Sequence, residues 1–354
     1  MTGATANGSL RVAVVGATGA VGGVMLRLLR ERGWTGGRAS EIVPFASERS
    51  VGRELDGGLV VAALTDETVR GFDVALFSAG ATRSREWARR FVDGGAVVVD
   101  NSSAFRLHDD VPLVVSEVNP EALDAHRGIV ANPNCTTMVA MLPLKALHDE
   151  FDLRAMVATS YQAAGGAGQK GIDELAEQVA PLAADVGQLC DDGAAAAGKV
   201  SHSVHAATLA FNVVPLLGTL GDDGHTDEER KLRDESRKIL AIPDLAVSPT
   251  CVRVPVMVGH GVAVRATFAR EPDLERALEL LRDFPNLVVD DVPTPLEYAG
   301  RDEVAVGRVR RDLADPNALN FFVVGDNLLK GAALNTVQLA EVLHERGLVG
   351  ARVS

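Results

Sequence analysis

Leu10 to Val15 reads as a strand, apolar apart from Arg11, Gly16-Ala17-Thr18-Gly19-Ala20-Val21-Gly22 follows it directly, and Val24, Leu28 and Leu29 then recur at helical spacing. The glycines let the chain turn tightly into the helix and let a pyrophosphate approach the N–H groups at the helix start. Strand, glycine turn and helix in that order open a dinucleotide-binding fold. Further strands are expected at Ile42 to Phe45, Val60 to Ala63, Val74 to Phe77 and Val97 to Val99, with helical segments such as Ser84 to Val92 between them. This alternation calls for an α/β fold with a Rossmann-type, doubly wound parallel sheet.

At 354 residues the chain is long enough for two domains. After Cys135 the texture changes, with a Gly-rich segment from Ala163 to Gly171 and an Ala/Gly stretch from Gly193 to Gly198. Strands are expected at Val252 to Val258, Val262 to Phe268 and Phe321 to Val324, and helices at Thr226 to Leu240 and Asp273 to Asp283. The two strands flanking Gly259-His260-Gly261 read as an antiparallel hairpin. The expected division is a Rossmann domain over residues 1–134, completed by the C-terminal segment 328–354, and a second α+β domain over 135–327. Within the C-terminal segment, Gly331 to Arg346 reads as an amphipathic helix stopped by Gly347. Met1 to Ser9 reads as a disordered tail.

The formal net charge of −13 argues against nucleic acid and anionic membranes as partners, though a few converging Arg and Lys can still hold an anionic substrate. Cys135, Cys190 and Cys251 show neither CxxC nor Cys/His ligand spacing, so no disulfide framework or structural metal is expected. A reducing cytoplasm fits that cysteine usage. The first nine residues lack an apolar signal core, and no apolar run approaches the length of a membrane span.

Chemistry concentrates at Asn132-Pro133-Asn134-Cys135-Thr136-Thr137. Gly128 to Ala131 reads as a strand and Met138 to His148 as a helix, so the thiol of Cys135 sits at a helix start. The N–H groups there favour the thiolate and hence nucleophilic attack. A buried, inert cysteine is the commoner fate of such a residue, and the rest of the chain has to tip the balance. After the second strand, an NAD-selective fold carries an acidic residue for the ribose 2′-hydroxyl. Here Ala46-Ser47-Glu48-Arg49-Ser50 offers an arginine and two hydroxyls instead, which suits the 2′-phosphate of NADP; Glu48 dissents.

Taken together, Gly16 to Gly22, Asn101-Ser102-Ser103-Ala104-Phe105-Arg106, Asn132 to Cys135, Ser160-Tyr161-Gln162-Ala163, Arg253-Val254-Pro255-Val256 with Gly259-His260, and Asp326-Asn327-Leu328-Leu329-Lys330-Gly331-Ala332-Ala333 resemble the aspartate-semialdehyde dehydrogenase family over nearly the whole chain. The resemblance implies reduction of β-aspartyl phosphate by NADPH to aspartate β-semialdehyde and phosphate, in amino-acid biosynthesis, by a cytoplasmic homodimer whose second domain is catalytic and dimerising. It implies Cys135 as nucleophile, His260 as acid/base and Gln162 as a substrate-positioning group. Arg253 would clamp the substrate carboxylate, Arg106 and Lys231 the phosphate, and Glu228 would face the amino group. For the cofactor it implies Gly16, Thr18, Gly19, Ala20 and Val21 at the pyrophosphate, Arg49 and Ser50 at the 2′-phosphate, and Gly165, Gly166 and Asn327 towards the nicotinamide.

Physical reasons stand beside that carry-over. A guanidinium offers a carboxylate two parallel donors. An imidazole with an ordinary pKa near 6.5 can take the thiol proton. Arg253 and His260 are an odd number of residues apart, so one flat strand would separate them, and a bend near Pro255 or Gly259 is required for both to serve one site. Glu228 and Lys231 share a helix face, which by itself means only an ion pair. Gly165 stands where the family usually has serine. The competing readings are another acyl-phosphate reductase, such as N-acetyl-glutamyl-phosphate reductase, and a noncatalytic NADP-binding sensor; glyceraldehyde-phosphate dehydrogenase also joins its cysteine to Thr-Thr, but without the preceding Asn-Pro-Asn.

Overall fold

A computed structural model describes residues 9–349, so the tail expected over Met1 to Ser9, apart from Ser9 itself, lies outside the described residues. The chain divides into two compact units, one running to Asn134 and resuming at Ala332, the other spanning Cys135–Gly331. The second unit therefore runs through Gly331 rather than ending at 327. Asp326 is the local reason: its carboxylate accepts from the N–H groups of Leu328 and Leu329, and its carbonyl accepts from Gly331 at 2.9 Å.

In the first unit, β1 (Leu10–Val15), β2 (Ala39–Phe45), β5 (Val74–Phe77), β6 (Val97–Asp100) and β7 (Ile129–Ala131) form a parallel sheet in the order β2-β1-β5-β6-β7. Its central strands are buried on both faces along Val12–Val15, Val74–Phe77 and Val97–Asp100, with Arg11 of β1 only half-buried. The strand expected at Val60 to Ala63 is instead a two-residue β4 (Leu59–Val60) that pairs with β3 (Glu54–Leu55) outside the main sheet. Between Gly16 and α1 (Ala20–Glu31) the turn is so close that a Cβ on Gly22 would lie 2.1 Å from the Gly16 carbonyl oxygen. Gly16 itself has φ +91°, and a side chain there would strike the backbone of Ser78. α2 (Ala81–Asp93) follows β5. The last helix, Leu334–Glu345, packs on α1. Its Glu341 accepts hydrogen bonds from Arg32, Arg38 and the indole N–H of the fully buried Trp34.

The second unit opens with α3 (Cys135–Phe151), buried on every side from Thr136 to Leu144, with its charged and imidazole side chains, Lys145, His148, Asp149 and Glu150, gathered in the second half. Its mixed sheet has the order β11-β12-β13-β10-β8-β9, built from β8 (Leu153–Gln162), β9 (Ala246–Arg253), β10 (His260–Phe268), β11 (Leu287–Val289), β12 (Val304–Arg311) and β13 (Ala318–Gly325). The expected hairpin around His260 does not form. β8, from a hundred residues earlier in the chain, inserts between β9 and β10, parallel to the first and antiparallel to the second. α3 packs on β8, β10 and β13, and helix Asp227–Ile239 packs on β9. That helix starts at a capping box, with Thr226 and Glu229 each satisfying the other's backbone N–H.

Candidate active site

The insertion of β8 builds the site. Gln162, its last residue, is register partner to Arg253 on β9 and to His260 on β10, so three residues far apart in sequence stand in one row across three strands. The odd interval between Arg253 and His260 no longer matters, because they end and begin different strands. Alternation along β8 puts Ser160 and Gln162 on its buried side, where the Gln162 amide donates to Ser160 Oγ at 3.1 Å and to Glu228 at 3.4 Å. Residues 254–259 loop back to receive the Ala164–Ala167 turn, whose N–H groups at Ala164 and Gly165 donate to Val256 and Met257. A Cβ on Gly165 would come within 2.8 Å of the Met257 carbonyl oxygen, and one on Gly166 within 2.7 Å of the Arg253 guanidinium. Glycine at both positions lets the turn close on the site.

Cys135, first residue of α3, has its Sγ 3.3 Å from His260 Nε2. The other ring nitrogen, Nδ1, accepts the backbone N–H of Ala163 at 3.0 Å and so carries no proton. The single proton of the neutral ring is left on Nε2, facing the sulfur. His260 is fully buried, and burial, reinforced by the nearby Arg253 charge, pushes its pKa down to about 3. The ring therefore does not keep the ordinary pKa near 6.5 expected of it: burial holds it neutral, with Nε2 facing the sulfur. Gly331 lies against Cys135, where an added Cβ would sit 2.9 Å from the Cys135 Cβ.

Arg253 is held by the Ala163 carbonyl at 2.6 Å, and burial moves its pKa below the ordinary value, yet a guanidinium remains charged at any working pH. Lys231 donates to Asp227 at 2.6 Å and to Glu228 at 3.2 Å. Burial works against its charge, but those two carboxylates outweigh it and hold its pKa above the usual lysine value. The other cysteines differ in kind: burial pushes the Cys251 thiol up to about 12, and Cys190 is exposed. Asn327 accepts the Gly259 N–H at 2.8 Å and so ties the start of β10 to the end of β13.

In the first unit, Gly16, Thr18 and Gly19 line a cavity of about 240 Å³ together with Ser47, Ala79 and Arg83. Ala20 and Val21 form the first turn of α1, which has no side-chain cap, so its N–H groups suit a phosphate. These residues fit a dinucleotide: the turn that a Cβ would block is open at glycines 16 and 22, and a hydroxyl stands at the end of β2. Arg49 and Ser50 belong to a short 3₁₀ turn, Glu48–Ser50, with Arg49 exposed and outside the residues lining that cavity. Arg106 is buried, its guanidinium donating to the carbonyls of Asn101 and Asn132, both at 2.9 Å. Sequence reasoning missed the Ala163 backbone, because a backbone donor leaves no side-chain signature.

A parallel sheet with a glycine turn in one unit, and a thiol facing a buried imidazole in the other, define the semialdehyde dehydrogenases. The model of their NAD-binding domain matches residues 11–126, and that of their dimerisation domain matches residues 144–330. The chain is 52% identical to the aspartate-semialdehyde dehydrogenase of Streptomyces akiyoshiensis, over 94% of this chain and 98% of that protein. A crystal structure of aspartate semialdehyde dehydrogenase II from Vibrio cholerae, complexed with ASA, superposes with a TM-score of 0.87 at 39% identity, covering 96% of this chain and 99% of that one. The enzyme from Candida albicans, solved with NADP, gives 0.72 at 25% identity over 96% and 100%. The chain belongs to the aspartate-semialdehyde dehydrogenase family.

Proposed function

We propose that this chain reduces β-aspartyl phosphate to aspartate β-semialdehyde with release of phosphate, using NADPH. The observation that carries the reading is the Ala163–His260–Cys135 chain of hydrogen bonds, which presents a sulfur to a proton donor in a buried site. The Cys135 thiolate attacks the acyl carbon, and the C–S bond forms as the bond to phosphate oxygen breaks. NADPH, when bound, supplies the hydride that reduces the resulting thioester. The oxyanion then collapses to the aldehyde and expels the thiolate, while the departed phosphate takes its proton from solvent. No step requires a second proton on the ring. His260 keeps its Nε2 proton and donates it as a hydrogen bond, first to sulfur and then to the oxygen that becomes negative.

Arg253 faces the substrate carboxylate with its planar fork, Gln162 positions the acyl group, and Glu228 faces the amino group. Lys231 and Arg106 bind phosphate. Gly16, Thr18, Gly19, Ala20 and Val21 take the pyrophosphate, Arg49 and Ser50 the adenosine end, and Gly165, Gly166 and Asn327 the nicotinamide end. The protein works as a homodimer in the cytoplasm. The outward side of β8 supports self-association, with Val157 48% and Tyr161 37% exposed and the Tyr161 ring tilted against Phe322. Among the described residues no helix is long and apolar enough to cross a membrane. The test is phosphate-dependent formation of NADPH from aspartate semialdehyde, run beside N-acetylglutamate semialdehyde. Turnover of the first alone supports the reading, and turnover of the second alone refutes it.

A further inference from the structure

Gln162 is only 2% exposed and Ser160 is fully buried, two residues apart on the inward side of β8. The row below Gln162 sets Ser160 between Cys251 of β9 and Val262 of β10, both buried and neither a strong hydrogen-bonding group. A glutamine amide has two donor hydrogens on nitrogen and one acceptor oxygen. The Gln162 nitrogen faces Ser160 Oγ at 3.1 Å and Glu228 Oε1 at 3.4 Å. Glu228 is a carboxylate paired with Lys231, and a carboxylate only accepts, so the amide must turn its nitrogen that way. Both donors are thereby committed to the protein. Gln162 Oε1, by contrast, has no hydrogen-bond partner among the described residues. A pair that only filled the strand face would not leave the acceptor end of a buried amide bare. The bare oxygen belongs to the row that also holds Arg253 and His260, so it is open to a donor on the ligand.

Resting on the reaction proposed above, we infer that Ser160 is a positioning residue: by holding the amide nitrogen of Gln162 it turns Oε1 to the substrate, where the oxygen accepts from the amino group and favours amino-bearing substrates. The last torsion of a glutamine is broad and its two ends are nearly equal in size, so partners, not the side chain itself, set its orientation. Glu228 at 3.4 Å is the longer and weaker of the two anchors. Ser160 therefore carries most of the choice.

Aspartate semialdehyde and succinate semialdehyde differ only in the amino group, so kcat/KM for phosphate-dependent NADPH formation from each isolates that contact. The Ki of succinate semialdehyde as a competitor is read alongside, so that slow turnover does not hide its binding. The native protein should favour aspartate semialdehyde. Ser160→Ala should cost that substrate about threefold to tenfold, the span of one neutral hydrogen bond, mainly in KM, and leave succinate semialdehyde unchanged. Ser160→Cys fills nearly the same space with a weak acceptor and should behave as Ser160→Ala does; it decides the matter should the alanine variant not fold. Ser160→Thr keeps the hydroxyl and should keep the preference. In a Gln162→Leu background, Ser160→Ala should cost nothing further. Equal losses for both aldehydes would make Ser160 a structural residue only and overturn the inference, as would no loss, or a further loss in the Gln162→Leu background. If the native protein turns over neither aldehyde, the proposed reaction itself fails; if it uses both alike, the amino group is not read and this inference alone falls.

Discussion

His260→Asn should flatten the acid limb of the second unit's stability profile. The folded ring has a pKa of about 3, while an unfolded histidine titrates near 6.5. Between those values the unfolded chain binds a proton that the folded chain refuses. Stability contributed by the neutral buried ring is therefore complete above pH 6.5 and is lost as pH falls, at up to about 1.4 kcal/mol per unit for one proton. From pH 6.5 to 5 this amounts to roughly 2 kcal/mol, and carried down to pH 3 it approaches roughly 5 kcal/mol, with no discount for solvent because the ring is fully buried. Asparagine cannot titrate, so the variant lacks this slope. His126, His148 and His205, whose pKa values burial also lowers, and Glu174, held down to about 2 by four hydrogen bonds from Ser203, Val204 and His205 that outweigh its burial, are present in both proteins and cancel in the difference.

The assay must report the unit that carries His260. Both tryptophans, Trp34 and Trp87, lie in the other unit, so indole fluorescence would follow the wrong transition. Hydrogen exchange of the β8 and β10 amides, measured under mild denaturant from pH 7 to 5 and corrected for the intrinsic pH dependence of exchange, reads the right one. The native protein should lose about 2 kcal/mol more than His260→Asn over this range. Parallel profiles would refute the reasoning, because they would mean that the folded ring accepts its proton in that window and that the Ala163 bond does not keep Nδ1 unprotonated.

Cys135→Ser should abolish turnover while leaving NADP binding intact, whereas Cys190→Ser and Cys251→Ser should remain active, since one thiol is exposed and the other is held neutral by burial; measured kcat for the three variants checks this. Arg253→Lys should cripple catalysis although charge is kept, and an aldehyde lacking the carboxylate should be a poor substrate for the native protein with little further loss in the variant. Losses in kcat/KM that simply multiply across the four combinations would show that Arg253 does not hold the carboxylate. Glu341→Ala should cost the first unit about 2 kcal/mol, since Arg32, Arg38 and the buried Trp34 N–H lose a common acceptor. Tryptophan fluorescence in urea measures that loss in the appropriate unit.

Much of the architecture was legible because it is written in local pattern. The apolar run of β1 and the glycines after it can be read without any tertiary knowledge, because burial on both faces and a turn closed to side chains each demand particular residue types in consecutive positions. The same holds for helix Asp227–Ile239, whose capping box and charged face stand in the sequence, and for Cys135 at a helix start. Strand partnership is different. Nothing in residues 246–268 says that Leu153–Gln162 will come between them, because backbone hydrogen bonding is indifferent to sequence distance and the hairpin reading satisfied every local rule. That insertion alone aligned Arg253, Gln162 and His260 and brought the Ala163 N–H to the imidazole. The residue types in the site were determined by the sequence. The proton's position on His260 and the depth of its pKa were decided only by the tertiary structure, because desolvation and a backbone donor are properties of the surroundings and not of the residue.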